Sequence, residues 1–134
     1  GVYIEVSTGN KIFKNNISTN IVDNAIEEMG VTGNFWDYSN KGNFWDNFNS
    51  NAGFPGYYVV SGEGDGIDNY PLCSDMETVS NTCSLTKPYY CNAGELIRDC
   101  GECGCPTGAR CIASTGRCAF KTEYKPIQVI GNLK

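Results

Sequence analysis

The chain has no histidine among its 134 residues. This absence excludes His-based catalytic triads, His general bases and His metal ligands. The sequence has no run of about 18 consecutive apolar residues, the length that a membrane-spanning helix requires. Charged residues make up only 19% of the chain, and the net charge is −5. An acidic chain is a poor partner for nucleic acid and anionic membranes. We therefore expect neither nucleic-acid binding nor membrane insertion.

Hydrophobic residues account for 40% of the chain and aromatic residues for 12%. This composition is too apolar for a disordered chain, so we expect a folded protein the size of one ordinary domain or two very small ones. The sequence begins at Gly1 without a methionine or a signal peptide. We expect it to be a processed product or the C-terminal part of a longer protein.

Cysteine is absent from the first 72 residues and frequent afterwards. Such density in a short segment predicts a disulfide framework made in an oxidising compartment, extracellular or at the cell surface. We predict four disulfides and no free thiol. Cys73 and Cys83 are a plausible pair, Cys103 and Cys105 are too close to pair, and the last six cysteines alone allow 15 connectivities. The eight cysteines are Cys73, Cys83, Cys91, Cys100, Cys103, Cys105, Cys111 and Cys118.

A metal site is the alternative use of these cysteines. Cys100 and Cys103 have the spacing of zinc or iron–sulfur ligands. A second Cys-x-x-Cys pair and any histidine are missing. The sequence therefore favours disulfides over metal.

The two parts of the chain also differ in charge. Residues 1–72 carry 9 acidic and 3 basic side chains, whereas residues 73–134 carry 6 acidic and 7 basic ones. We therefore divide the chain into 1–72, a cysteine-rich module at 73–120, and a C-terminal strand and tail at 121–134. Pro126 precedes the strand pattern of Ile127–Ile130 in that tail, which we expect to pack on the first part or on a neighbouring chain.

Residues 1–72 alternate short β-branched or aromatic runs with Asn, Gly, Ser and Thr. Val2, Ile4 and Val6 show the period of two that is typical of a strand. Runs this short with frequent turns favour a solenoid of short strands over a sandwich. An irregular β-rich domain is the alternative. Ile26–Met29 could begin a helical turn that ends at Gly30.

A near-repeat gives the first part a family resemblance. Gly-Asn-Phe-Trp-Asp occurs at 33–37 and again at 42–46, followed by Gly-Asp-Gly-Ile at 64–67 and Asp-Asn-Tyr-Pro-Leu at 68–72. With the coils before them, these motifs resemble the closing coils of a right-handed parallel β-helix. The family is the copper-binding periplasmic type and related archaeal and bacterial surface proteins. The resemblance implies an all-β fold, with a short parallel β-helix end in residues 1–72.

The cysteine-rich part carries a second resemblance. Cys-Gly-Cys-Pro-x-Gly-x-x-Cys at 103–111 is similar to a small module appended to archaeal surface proteins, covering about residues 83–118. The resemblance implies an extracellular accessory module without chemistry of its own.

A solenoid of about two coils would leave one end uncovered, because each coil buries its faces only against its neighbours. The side chains at that end are Val2, Ile4, Ile12 and Phe13. We expect upstream coils or an identical subunit to cover this assembly face. Head-to-tail stacking of subunits would produce a filament.

Glycoside chemistry needs two carboxylates placed about 5–10 Å apart. Asp37 and Asp46 are nine residues apart, less than one coil, and each follows a Phe-Trp pair. We interpret them as structural corners that accept backbone N–H groups beside a buried tryptophan. No arginine precedes Arg98 to serve a lyase. We therefore expect no enzyme, with a polysaccharide lyase or hydrolase as the alternative.

The acidic loop before Cys73 is a candidate calcium site. Glu63, Asp65 and Asp68 place oxygens around a turn-forming glycine, as calcium loops do. An acidic glycine turn without an ion is the alternative. Asn16 begins an Asn-Ile-Ser sequence and is a candidate glycosylation site.

Nine aromatic residues crowd between positions 35 and 58. They either stack on sugars or cap the end of the solenoid, and general burial odds favour the cap. Our first hypothesis is a non-enzymatic structural or adhesive surface protein, and the second is a carbohydrate-binding or carbohydrate-cleaving module. A secreted inhibitor or toxin fits less well, because the first 72 residues lack cysteine. The aromatic residues are Phe35, Trp36, Tyr38, Phe44, Trp45, Phe48, Phe54, Tyr57 and Tyr58.

Overall fold

A computed structural model describes residues 1–121. Short strands and turns dominate, and within these residues helix is confined to one turn of 3-10 helix at Phe48–Ser50 and to α1 at Cys100–Cys103. This secondary-structure content is consistent with the prediction of an all-β chain. The strands are β1 Val2–Ile4, β2 Asn16–Ile17, β3 Ala25–Glu27, β4 Phe44–Trp45, β5 Tyr58–Val59, β6 Ser61–Gly62, β7 Ile67–Asp68, β8 Tyr89–Asn92, β9 Glu95–Arg98, β10 Ala109–Ile112 and β11 Arg117–Phe120.

These strands form five small sheets. One has three parallel strands in the order β1-β3-β6, and β2 pairs with β4 in parallel. The other three sheets, β5-β7, β8-β9 and β10-β11, are antiparallel pairs. The alternation at the start of the chain forms a strand over Val2–Ile4, whereas Val6 lies outside it and is exposed. Ile26 lies in β3, so the helical turn expected there is absent.

The prediction of a parallel β-helix is wrong. The described residues form sheets of two or three strands, most of them antiparallel, and no solenoid. Within the three-stranded sheet, Val2 pairs with Ala25 and Ile26 with Ser61, offsets of 23 and 35 residues. A solenoid needs a repeated offset, because identical coils must stack in register. Strands of two to four residues joined by loops of unequal length do not supply one.

The core lies in the first part of the chain. Trp45 stacks on Tyr58 with ring centroids 3.9 Å apart, and Trp36 meets Trp45 at 5.7 Å. Asparagines link the segments around this core: Asn10 donates to Asn34 and Asn15 to Asn43, at 2.9 and 3.0 Å. The buried apolar cluster is Ile4, Ile17, Ala25, Val31, Trp36, Trp45, Phe48, Tyr58 and Val60.

Disulfides organise the second part. The prediction of four bridges and no free thiol agrees with the structure, whereas the Cys73–Cys83 pairing is wrong. Cys73 and Cys83 are close in sequence, but each has a partner from further along the chain. Strand β8 brings Cys91 to Cys73, and α1 brings Cys103 to Cys83. Cys103 and Cys105 do not pair with each other, as expected. The bridges are Cys73–Cys91, Cys83–Cys103, Cys100–Cys111 and Cys105–Cys118.

The boundary at Cys73 is crossed by direct contacts. Leu72 bridges to both Phe44 and Val79, and Glu77 forms ion pairs with Lys14 and Lys41. The division at 1–72 and 73–120 stays a prediction. The strand expected at Ile127–Ile130 lies outside the described residues.

Candidate functional site

The two aspartates of the near-repeat each link their own segment to a distant one. Asp37 accepts the backbone N–H of Asn69 at 2.9 Å, and Asp46 accepts that of Thr19 at 2.7 Å. Asp46 also accepts from Asn24, and these two donors lower the pKa of its carboxyl group. The tryptophan before each aspartate is fully buried. The prediction that both aspartates accept backbone N–H groups beside a buried tryptophan is confirmed, but the donors come from distant segments and not from a local corner.

Asp68 is a buried acceptor rather than an exposed ligand. Its Oδ2 accepts the indole N–H of Trp45 at 2.8 Å and the backbone N–H of Asn43 at 2.7 Å. Its Oδ1 accepts the backbone N–H of Tyr70 at 2.9 Å. Removal from water raises the pKa of Asp68 to about 6, and the three donors oppose part of that rise. Gly42 is required beside it, because a side chain there would collide with the carboxylate.

Glu27 is a second buried carboxylate, and sequence reasoning missed it. Its Oε1 accepts the indole N–H of Trp36 at 2.7 Å, and its Oε2 has no hydrogen-bond partner within residues 1–121. Gly64 and Gly66 cover this side chain so closely that a Cβ at either would lie 2.7 or 2.8 Å from Oε2. The glycines predicted to make an acidic turn are therefore packing positions. Nothing in the sequence marked Glu27 as buried. Its burial follows from its place on β3, where Ala25 and Glu27 point to the same buried side.

The three candidate calcium ligands do not converge. Glu63 and Asp65 are exposed, whereas Asp68 points into the core. Within residues 1–121 the only group of three ligand-type side chains close enough to share an ion is Cys100, Cys105 and Cys118. All three of those cysteines are in disulfides. Calcium binding by the loop stays a prediction without a preformed site.

The alternative zinc or iron–sulfur site is contradicted. Cys100 and Cys103 are bonded to Cys111 and Cys83. A metal ligand must be a thiolate, so neither residue is available.

The aromatic residues divide into a buried and an exposed set. Trp36, Trp45, Phe48 and Tyr58 are buried in the core, so the expectation that they cap the end of a solenoid is wrong. Phe44 is half-buried. Four rings remain exposed by 39–54%: Phe35, Tyr38, Phe54 and Tyr57.

The four residues of the expected assembly face are covered to different extents. Ile4 is in the core, Val2 and Ile12 pack against it, and the Phe13 ring lies 5.3 Å from that of Tyr38. The contact of this face with upstream coils or an identical subunit stays a prediction. Asn16 is exposed on β2, where a glycan could be attached.

A groove lies between β4 and the tip of the β8–β9 hairpin, with a volume of about 570 Å³. We call it the hairpin groove. Ser74 donates its backbone N–H to Gly94 at 3.0 Å, and the nearby Cys73–Cys91 disulfide ties β8 to the first part of the chain. The groove was not anticipated, because its walls come from segments that are about 45 residues apart. Its lining residues are Phe44, Trp45, Asp46, Asn49, Ser74, Asn92, Ala93, Gly94, Glu95 and Leu96.

Comparison with known proteins places the chain in no family. No family model, no curated protein and no solved structure matches it. The resemblance to the copper-binding periplasmic type and to the archaeal cysteine-rich module is therefore unsupported, and the observed sheets contradict the β-helix that it implied. Among residues 1–121, no helix has the length and apolar character to cross a membrane. The four disulfides fit an extracellular setting.

Proposed function

We propose that this chain is a non-enzymatic extracellular protein with a structural or adhesive role. The observation that carries the proposal is the use of its carboxylates. Asp37, Asp46 and Asp68 each accept a backbone N–H from a distant segment, and Glu27 holds an indole N–H in the core. A catalytic acid or base must be free to exchange a proton with substrate. These four groups are already engaged in holding the fold together.

The disulfides support a role in which persistence matters more than motion. Four bridges in the 46 residues from Cys73 to Cys118 restrict the unfolded chain where little apolar core is present. Enzymes that close over a substrate need mobile loops. A cross-linked module instead suits a protein exposed to the extracellular medium.

The proposal is tested by incubating the full chain with a panel of soluble polysaccharides and measuring reducing ends and unsaturated products. We expect no product above that formed with heat-denatured, reduced protein. A parallel assay measures retention of the labelled chain on polysaccharide-coated and cell surfaces. Turnover that is abolished by Asp37→Asn or Asp46→Asn would overturn the proposal. Retention without turnover would support an adhesive role.

A further inference from the structure

Two large surface depressions differ in how their polar side chains are used. The one beside Lys41 holds about 600 Å³, but its polar groups are already paired: Lys41 with Glu77, and Asp75 with Thr78. In the hairpin groove, the structure shows no hydrogen bond within residues 1–121 to the side chains of Asn49, Ser74, Asn92 or Glu95. Polar groups left open to solvent in a concave site are the ones that a ligand can engage.

The asparagines also differ in whether their side chains are hydrogen-bonded within the protein. Within residues 1–121 most of them hold the fold together through their side chains, as Asn10, Asn15 and Asn43 do between separate segments. Within residues 1–121 the side chains of Asn16, Asn40, Asn49 and Asn92 make no hydrogen bond, and of these Asn49 and Asn92 line the hairpin groove. Two unengaged amides, each with a carbonyl acceptor and two N–H donors, thus face one groove.

The charge of the hairpin groove limits its ligand. Asp46 and Glu95 are its only charged residues, and both are acidic. The backbone N–H of Thr19 and the side-chain amide of Asn24 donate to the Asp46 carboxylate. These hydrogen bonds hold it in place and lower its pKa, so Asp46 is ionised at neutral pH. An anionic ligand would be repelled, while hydroxyl groups can donate to both carboxylates.

The shape of the hairpin groove adds an apolar surface. Phe44 is half-buried in the wall, and Leu96 lies on the opposite side. Gly94 brings the hairpin tip close to the Phe44 ring, because a Cβ at this glycine would lie 3.9 Å from Cε2. An aromatic ring beside amides and carboxylates matches the mixed C–H and hydroxyl surface of a sugar ring.

From these features we infer that the hairpin groove binds a neutral saccharide of one or two residues, with Asn49, Asn92 and Glu95 bonding its hydroxyl groups. The volume of about 570 Å³ lies within the ~300–1,000 Å³ typical of small-ligand sites. The inference rests on the proposed function, since it names the ligand class of an adhesive role. A cationic peptide is the competing ligand for an acidic groove.

The experiment is nitrogen-15 NMR titration of the full oxidised chain with four separate probes. They are cellobiose, mannobiose, N,N′-diacetylchitobiose and tri-lysine, each up to 10 mM. We expect at least one neutral disaccharide to shift amide signals of residues 44–49 and 92–96. Tri-lysine should shift these signals less.

Variants locate the site. Asn92→Ala and Glu95→Gln should each weaken disaccharide binding by about three- to tenfold, the effect of losing one hydrogen bond. The matched controls, Asn16→Ala and Glu63→Gln, remove an exposed amide and an exposed carboxylate elsewhere and should bind as wild type. Retained wild-type spectra outside the groove would establish that the variants fold.

The outcomes separate this inference from the proposed function. Absence of shifts with all three disaccharides, shifts confined to other surfaces, or tighter binding of tri-lysine would overturn the saccharide site while leaving the structural role. Binding in the groove followed by cleavage of the disaccharide would confirm the site and overturn the non-enzymatic role. Binding without cleavage supports both.

Discussion

Asp68 should make the protein more stable at mildly acidic pH than at neutral pH. Burial raises the pKa of Asp68 from 3.8 to about 6, so between these values the folded chain keeps a proton that the unfolded chain releases. Stability therefore falls as the pH rises through this window. A shift of about two units, at about 1.4 kcal/mol per unit, corresponds to roughly 3 kcal/mol in total, from pH values well below 3.8 to values well above 6.

The assay is urea unfolding of the oxidised chain between pH 4.5 and 7.5, followed by the fluorescence of the buried Trp36 and Trp45. The lower limit avoids more acidic conditions, in which Asp46 and Asp75 act in the opposite direction. Their hydrogen bonds lower their pKa values, and the stability they supply is lost as the pH falls. Over the measured range we expect the free energy of unfolding to fall by about 2 kcal/mol as the pH rises.

Asp68→Asn tests the assignment. Asparagine cannot ionise, so the variant should lose most of the slope between pH 4.5 and 7. Its Nδ2 would face the N–H of Tyr70, a donor against a donor, and at pH 4.5 the variant should be less stable by about 1–3 kcal/mol. Asp65→Asn, which changes an exposed carboxylate nearby, should keep the wild-type slope. A wild-type stability that rises from pH 5 to 7, or an Asp68→Asn variant with an unchanged slope, would refute the reasoning.

Three further predictions concern the disulfides and the backbone. Alkylation without reduction should label no cysteine, and mild reduction should open Cys73–Cys91 last, because both residues are fully buried; mass spectrometry showing two or more labelled cysteines beforehand would contradict this. Ala93→Gly should stabilise the chain by about 0.5–1 kcal/mol in urea unfolding, since Ala93 has a φ of +55° that glycine adopts freely; a destabilised variant would argue against that backbone angle. Gly66→Ala should cost about 1–3 kcal/mol because its Cβ would lie 2.7 Å from the Trp36 indole nitrogen, whereas Gly56→Ala, whose Cβ would meet only the Gly53 carbonyl oxygen at 3.9 Å, should cost less than about 1 kcal/mol; equal losses would remove the packing argument.

Local chemistry was the part of the structure that the sequence could predict. Asp37 and Asp46 are predicted to accept backbone N–H groups beside a buried tryptophan, because each follows a Phe-Trp pair and their nine-residue spacing is less than one coil. Complete disulfide pairing followed from cysteine density and the absence of histidine. Each of these inferences needed only residues close together in the chain.

Long-range pairing was the part that it could not predict. Short runs separated by asparagine fit many arrangements of strands, and nothing in the runs specifies that Ile26 pairs with Ser61. The same limit explains the wrong Cys73–Cys83 bridge and the unexpected role of Glu27. In each case the partner is supplied by a segment whose position depends on the whole fold.

The near-repeat shows why copied sequence need not give copied structure. Trp36 bonds to Glu27, which precedes it by 9 residues, whereas Trp45 bonds to Asp68, which follows it by 23. Their neighbours diverge too, because Asp37 holds Asn69 from the later segment and Asp46 holds the N–H of Thr19 from the earlier one. A buried indole N–H requires an acceptor, and a buried aspartate requires donors. Neither requirement determines where in the chain the partner lies. The two copies therefore hold different segments against one core, the segment of Asn69 through Asp37 and the segment of Thr19 through Asp46.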